Sequence, residues 1–221
     1  MATVVNASLL AARMAMIESQ LKPCGVVSPR ISAAFLQVAR EQYVAAGRRG
    51  LAYVDAAQPL GNGRALLAPL SLGLLLEEAA AQPHEHVLVV GAATGYSAAL
   101  LASLASSVVA LECDPALAET ARANLRDSTN VSVVEGPLDR GWADGAPYDV
   151  MLIDGAVEQQ PAELASQLAE GGRMLAILIG ADGVSRAARG IRRGASLSLE
   201  PFAEAPGQLL PSFGKARQFR F

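Results

Sequence analysis

Val87-Leu88-Val89-Val90-Gly91-Ala92-Ala93-Thr94-Gly95-Tyr96 is the stretch on which the fold turns. Four apolar residues run into a group of small ones and then into a helical pattern. An apolar run without polar alternation belongs to a strand covered on both faces. Small residues at its end let the backbone come close to a ligand. The helix that follows opens with unpaired N–H groups and the positive end of its dipole. Outward from this stretch the same texture recurs. Strands are predicted over 108–111, 131–135, 150–153 and 174–179, with helices over 95–104, 115–125 and 161–169. Such alternation predicts an α/β fold with a doubly wound, mostly parallel Rossmann-like sheet.

Ahead of this core the chain reads as helices. Leu9, Leu10, Met14, Ile17 and Leu21 share one face of a helix over 6–21, which Pro23 ends. A second helix starts at Ser28 or Pro29 and runs to residue 39, and a third covers 69–81. Between them, 48–68 is rich in Gly, Pro and Asn and reads as a loop. Two further strand-like runs lie at 197–202 and 218–221. One domain over 1–221 is expected, with an N-terminal helical layer (1–82), a ligand-binding core (83–180) and C-terminal strands (181–221).

Hydrophobic residues make up 52% of the 221, enough for one sizeable core. A net charge of −3 gives no general electrostatic reason to bind nucleic acid or anionic lipid. Cys24 and Cys113, the two cysteines, cannot build a disulfide framework or a four-thiolate zinc site. No metal site is expected. The first ten residues lack a basic segment followed by an apolar run, and 66–76 is too short to span a bilayer. A cytoplasmic protein is the expectation.

Glu112 lies 21 residues beyond Gly91, at the end of the next predicted strand. A carboxylate there can accept both hydroxyls of a ribose. A glycine turn alone also suits a tight bend with no ligand; the acid at this spacing favours a nucleoside. Gly91-x-x-x-Gly95, with Ala93 between, is not a dinucleotide fingerprint. It suits S-adenosylmethionine better than a pyrophosphate and argues against a nicotinamide dehydrogenase. The candidate cofactor residues are therefore Val90, Gly91, Ala92, Ala93, Thr94, Gly95 and Tyr96, with Glu112 for the ribose. Cys113 is placed on the adenine side, framed by Gly136, Pro137 and Leu138. Asp154, just past the fourth core strand, joins the set as a carboxylate near the pocket mouth and is the best catalytic candidate.

Six ordered segments resemble one family. Residues 39–44 (AREQYV) resemble its PRExFV segment, and 52–55 with 59–63 (AYVD, PLGNG) its AYxD…LPIGxG loop. Residues 87–96 resemble its VLEIGTGSGY motif, 141–142 with 146–149 (GW, APYD) its GW…APYD stretch, and 168–174 its LxxGGRL turn. Arg13, Met14, Glu18, Gln20 and Leu21 are similar to its N-terminal helix. The family is protein-L-isoaspartate O-methyltransferase. The resemblance implies the adenosylmethionine-dependent methyltransferase fold, that cofactor, and as acceptor the carboxylate of isoaspartyl residues in damaged proteins.

The departures are specific. Where the family carries TISxP, with hydroxyls facing the reacting carboxylate, this chain has Ala65-Leu66-Leu67-Ala68-Pro69. Both hydroxyls are gone, and acceptor contacts fall to Asn62, Leu67 and Ala68. The acid of the family's GDG becomes Gly136-Pro137-Leu138, with Glu135 a substitute acceptor. Another small acceptor, or a non-catalytic adenosylmethionine-binding protein, is the alternative. His84 and His86 are expected in a solvated loop. Arg186, Arg189, Arg192 and Arg193 are expected on a solvated helix edge, and Trp142 and Tyr148 to pack a loop on the sheet.

Overall fold

The computed structural model describes residues 2–159 and 162–215. Helix α1 (Ala2–Met16) continues through a π turn (Ile17–Leu21), and α2 spans Pro29–Gln37. The segment expected as a loop over 48–68 is more ordered than that. A 3-10 turn covers Ala46–Leu51, and a hairpin pairs β1 (Gln58–Gly61) with β2 (Arg64–Leu66). The physical reason is the dipeptide Asn62-Gly63, whose φ angles of 49° and 71° supply two successive left-handed residues. Helix α3 (Pro69–Ala79) leads from the hairpin into the sheet.

The main sheet contains β3 (His86–Val90), β4 (Ser107–Glu112), β5 (Val131–Glu135), β6 (Tyr148–Val157), β7 (Leu168–Ile179), β8 (Ser185–Ile191) and β9 (Glu200–Glu204). Their order is β5-β4-β3-β6-β7-β8-β9. The five strands from β5 across to β7 are mutually parallel; β8 and β9 are added antiparallel. Helices α4 (Tyr96–Ala102) and α5 (Pro115–Leu125) make the crossovers. The chain winds outward from β3 to β5, then returns to place β6 on the other side of β3. The switch point therefore lies between the carboxyl ends of β3 and β6, where open α/β sheets bind ligands.

Side-chain alternation divides the core. Val87 and Val89 face the N-terminal helices through Phe35, Leu72 and Leu101. Leu88 and Val90 face the opposite layer with Tyr148, Leu164 and Phe213.

Five expectations are corrected here. The helix over 161–169 shrinks to α6 (Ala162–Ala165), and Pro161 lies outside the described residues. Strand β7 takes over from Leu168, six residues before its expected start at 174. Arg186 and Arg189 lie on strand β8, not on a helix; Ala187 and Ala188 between them are buried. The strand expected over 197–202 is β9, shifted to Glu200–Glu204, and 218–221 lies outside the described residues. His86 also leaves its expected solvated loop. It opens β3, with its ring stacked 4.8 Å from Tyr148 and bonded to Ser107 Oγ and the Gly145 carbonyl. Among the described residues no helix is long and apolar enough to cross a membrane, and no group of His, Cys, Asp and Glu could hold a metal.

Candidate active site

Beyond Val90 the chain turns through three left-handed residues, Gly91 (φ 80°), Ala93 (51°) and Gly95 (94°). Ala93 adopts that region against the preference of an L side chain, a strain of about 1 kcal/mol. Gly95 suits its place: its φ strains any side chain, and a Cβ there would stand 2.7 Å from Leu125 Cδ1, which would have to shift. The N–H groups of Gly91 and Ala92 both donate to the Leu111 carbonyl, which locks the turn onto β4. Thr94 and Tyr96 point away from the cleft. Thr94 Oγ1 donates to the Tyr43 carbonyl (2.6 Å), and the buried Tyr96 ring packs between Tyr43 and the Arg40 guanidinium.

Glu112 ends β4 and is fully buried. Its Oε1 accepts from Arg64 Nη1 (2.5 Å), Cys113 N (2.8 Å) and Asp114 N (3.0 Å). Its Oε2 accepts from Arg64 Nη2 (2.9 Å) and Ala93 N (2.7 Å). Arg64 Nη2 also reaches the Gly91 carbonyl at 3.1 Å. The arginine arrives from β2 and is itself 3% exposed. Sequence reasoning missed it, although a signal existed. Arg64 is the single charged residue between positions 56 and 76. A lone charge in so apolar a run has to find a buried partner.

A second intruder is Leu210. A Cβ on Gly91 would meet Leu210 Cδ1 at 3.0 Å, and one on Gly155 would meet Leu210 Cγ at 2.5 Å. The tail runs parallel beside the end of β6: Ala156 N donates to Gln208 O, and Leu210 N to Ala156 O. The notch left by the two glycines is filled by this one side chain.

Asp154 is not at a pocket mouth. Strand β6 continues past it to Val157, and it is 4% exposed. Its Oδ2 accepts from Ser97 Oγ at 2.5 Å, while Oδ1 has no hydrogen-bond partner among the described residues. Burial pushes its carboxyl up to about 6, against the opposing pull of Ser97, Arg64 and Arg40.

On the β5 side, Gly136 N donates to the Glu112 carbonyl, and Leu138 is buried nearby. Pro137 opens a short 3-10 turn. Glu135 is paired with Arg122 at 2.6 Å at the exposed end of β5. Cys113 is half-buried; burial, then the Glu112 charge, pushes its thiol up. Asn62 stands exposed at the hairpin tip, bonded to Asp114 Oδ2. Leu67 and Ala68 lie in the core instead, each 3% exposed, and the Leu67 carbonyl receives Arg40 Nη2 at 2.6 Å. The structure thus gathers Gly91, Ala93, Glu112, Cys113 and Gly136 at one sheet end, with Asn62 at its rim. It sets Thr94, Tyr96 and Leu67 apart.

A carboxylate held at the end of β4, glycines without Cβ just after β3 and on β6, and a position at the switch point together suit a nucleoside ligand. The sequence model described as protein-L-isoaspartate(D-aspartate) O-methyltransferase (PCMT) matches residues 12–198. The chain belongs to this family.

Relatives named protein-L-isoaspartate O-methyltransferase agree. One from Koribacter versatilis (strain Ellin345) is 41% identical over 165 residues, 74% of each chain. Another, from Methylorubrum populi, is 40% identical over 185 residues, 83% of this chain and 87% of the relative. Among solved structures, one named protein-L-isoaspartate O-methyltransferase matches with a TM-score of 0.78 at 24% identity, covering 90% of this chain and 66% of that one. A second, from Plasmodium falciparum and in complex with S-adenosyl-L-homocysteine, matches at 0.76 and 16% identity, covering 91% and 97%. At those identities the two structures bear on the fold alone, and the fold is that of this class of methyltransferase. The protein-L-isoaspartate O-methyltransferases are adenosylmethionine-dependent enzymes.

Proposed function

We propose that this chain, acting as one unit over 1–221 in the cytoplasm, transfers a methyl group from S-adenosylmethionine to a carboxylate oxygen. Its acceptor is the isoaspartyl side chain of a damaged protein or peptide, with neither nucleic acid nor membrane involved. The observation that carries the reading is the juxtaposition of the Gly91–Gly95 turn with Glu112 at the switch point. Glu112 is the group to receive the ribose hydroxyls. Gly91 and Gly155 leave room for the backbone to approach, and Gly136, Pro137 and Leu138 frame the adenine beside Cys113. The bound cofactor supplies an electrophilic methyl group on a sulfonium. A carboxylate acceptor is already a nucleophile, so the chain need not remove a proton; holding the oxygen in line is the main requirement. Asn62 at the rim is the side chain placed to meet an acceptor. Asp154, buried beneath the cleft floor, shapes it rather than touching the acceptor.

A second reading is a cofactor-binding protein without transfer. It draws on Ala65 and Leu67, which offer no hydroxyl, and on the burial of Leu67. Incubation with radiolabelled-methyl cofactor and an isoaspartyl peptide, beside the aspartyl version as control, decides between them. Base-labile label on the isoaspartyl peptide alone is the expected result. Firm cofactor binding with no label on either peptide selects the second reading.

A further inference from the structure

The hydrogen bonds at Glu112 leave no room for the ligand assigned to it. A carboxylate offers about four lone-pair sites. Glu112 already accepts five hydrogen bonds: Arg64 Nη1, Cys113 N and Asp114 N on Oε1, and Arg64 Nη2 and Ala93 N on Oε2. The three backbone donors, Ala93 N in the turn and Cys113 N and Asp114 N just after β4, are part of the sheet end and stay with it. The two from Arg64 are the ones that can leave, and they occupy one oxygen each, as a pair of ribose hydroxyls would. Leu210 meanwhile fills the space over Gly91 and Gly155.

We propose that Arg64 and Leu210 form a latch built into the cofactor cleft: the guanidinium stands in for the ribose hydroxyls on Glu112, Leu210 fills the glycine notch, and the cofactor enters only when both withdraw. The inference rests on the cofactor reading above and adds a control step to it.

The hairpin that carries Arg64 is held to the rest of the protein by side-chain bonds. The β1–β2 hairpin is a two-stranded sheet separate from the seven-stranded one. Such a hairpin has little stability of its own. Its turn, Gly61 to Gly63, is exposed; its tip is tied by an Asn62–Asp114 bond of 3.3 Å, and its base by Gln58 bonds to Arg48 and to the Leu51 and Ala56 carbonyls. Arg64 is also imperfectly satisfied: its Nε is buried with no hydrogen-bond partner among the described residues. An orphaned buried donor weakens the closed arrangement. At the other end, Leu210 is fastened to β6 through the bonds between Gln208 and Ala156 and between Leu210 and Ala156. Short segments with few backbone ties are the ones that open locally. A site competent in only a fraction of molecules shows an affinity reduced by that fraction, and a substitution that abolishes the closed form removes the reduction.

Calorimetric titration of S-adenosyl-L-homocysteine into the unmodified protein, Arg64→Gln and Leu210→Ala tests this. Binding at least about tenfold tighter in both variants is expected. Amide hydrogen exchange gives an independent readout. In the unmodified protein, saturating ligand should speed exchange across 58–66 as the hairpin is released, and Arg64→Gln should already exchange fast without it. Equal or weaker affinity in both variants, or hairpin exchange slowed by ligand, overturns the latch and leaves the cofactor reading standing. Absence of binding to all three proteins at millimolar ligand overturns both.

Discussion

Burial raises the Asp154 carboxyl to about 6, further than the Ser97 hydroxyl, Arg64 and Arg40 pull it back. In the unfolded chain an aspartate titrates near 3.9. The folded protein therefore holds this proton more tightly than the unfolded chain does. The sign follows: the contribution is neutral below about pH 4, and stability is lost as pH rises through about 6. A shift of roughly two units corresponds to at most about 3 kcal/mol. Asp154→Asn can still accept from Ser97 through its amide oxygen and carries no charge to bury. Urea unfolding midpoints of the two proteins should lie close together at pH 4 and diverge in the variant's favour up to pH 7. A gap that narrows over that range would contradict the assignment. At this scale the sequence showed which residues matter better than where they sit. The run into Gly91 and the acid at Glu112 are local patterns and were readable. The burial of Asp154 was not, because it depends on β6 running to Val157 with the tail at its side.

Among the elements, the hairpin and the start of α3 decide how far the acceptor loop can be altered. Ala65 is half-exposed and sits opposite Pro59 in the hairpin register, whereas Leu67 is 3% exposed in the core. Placing hydroxyls at these two positions should therefore have unequal effects. Ala65→Thr is expected to change stability by less than about 0.5 kcal/mol, the range of surface substitutions. Leu67→Ser is expected to lose about 2–5 kcal/mol, since it leaves a cavity and a buried hydroxyl. Chemical denaturation of each single variant measures this, and equal losses would mean that Leu67 is not packed as described. Strands β3, β4 and β5 were legible within a residue because their apolar runs are unbroken, whereas β6 and β7 extend up to four and six residues beyond the apolar runs that announced them. Strand β8 was not legible, since its arginines recur at a spacing that also suits a helix. Hairpin β1–β2 was hidden for another reason: its strands are short and contain Pro59 and Gly61.

Across the whole molecule, the N-terminal layer and the sheet are clamped by Arg173. From β7 it meets both oxygens of Glu85 at 2.8 Å and donates through Nε to the Ala79 carbonyl at the end of α3. Burial acts to raise the Glu85 carboxyl, but Arg173 and the Gln82 N–H outweigh it and hold it below its ordinary value. Arg173→Ala should reduce stability by about 2–4 kcal/mol at neutral pH, as loss of one partner of a largely buried pair does. The deficit should shrink as acid protonates Glu85, which thermal melts at pH 7 and pH 3 would show; a constant deficit would place the arginine's role in packing alone. Both the Rossmann-like order and the N-terminal layer followed from the sequence, whereas this clamp links positions 88 residues apart and leaves no local trace. Chain order gives the filled notch a consequence in time. Leu210 comes 55 residues after Gly155. At ribosomal speeds of about 5–20 residues per second, roughly 3–11 s separate the making of the notch from the making of its stopper. A nascent chain whose parallel strands pair within that interval presents the cleft without Leu210, so a cofactor met during synthesis competes with Arg64 alone.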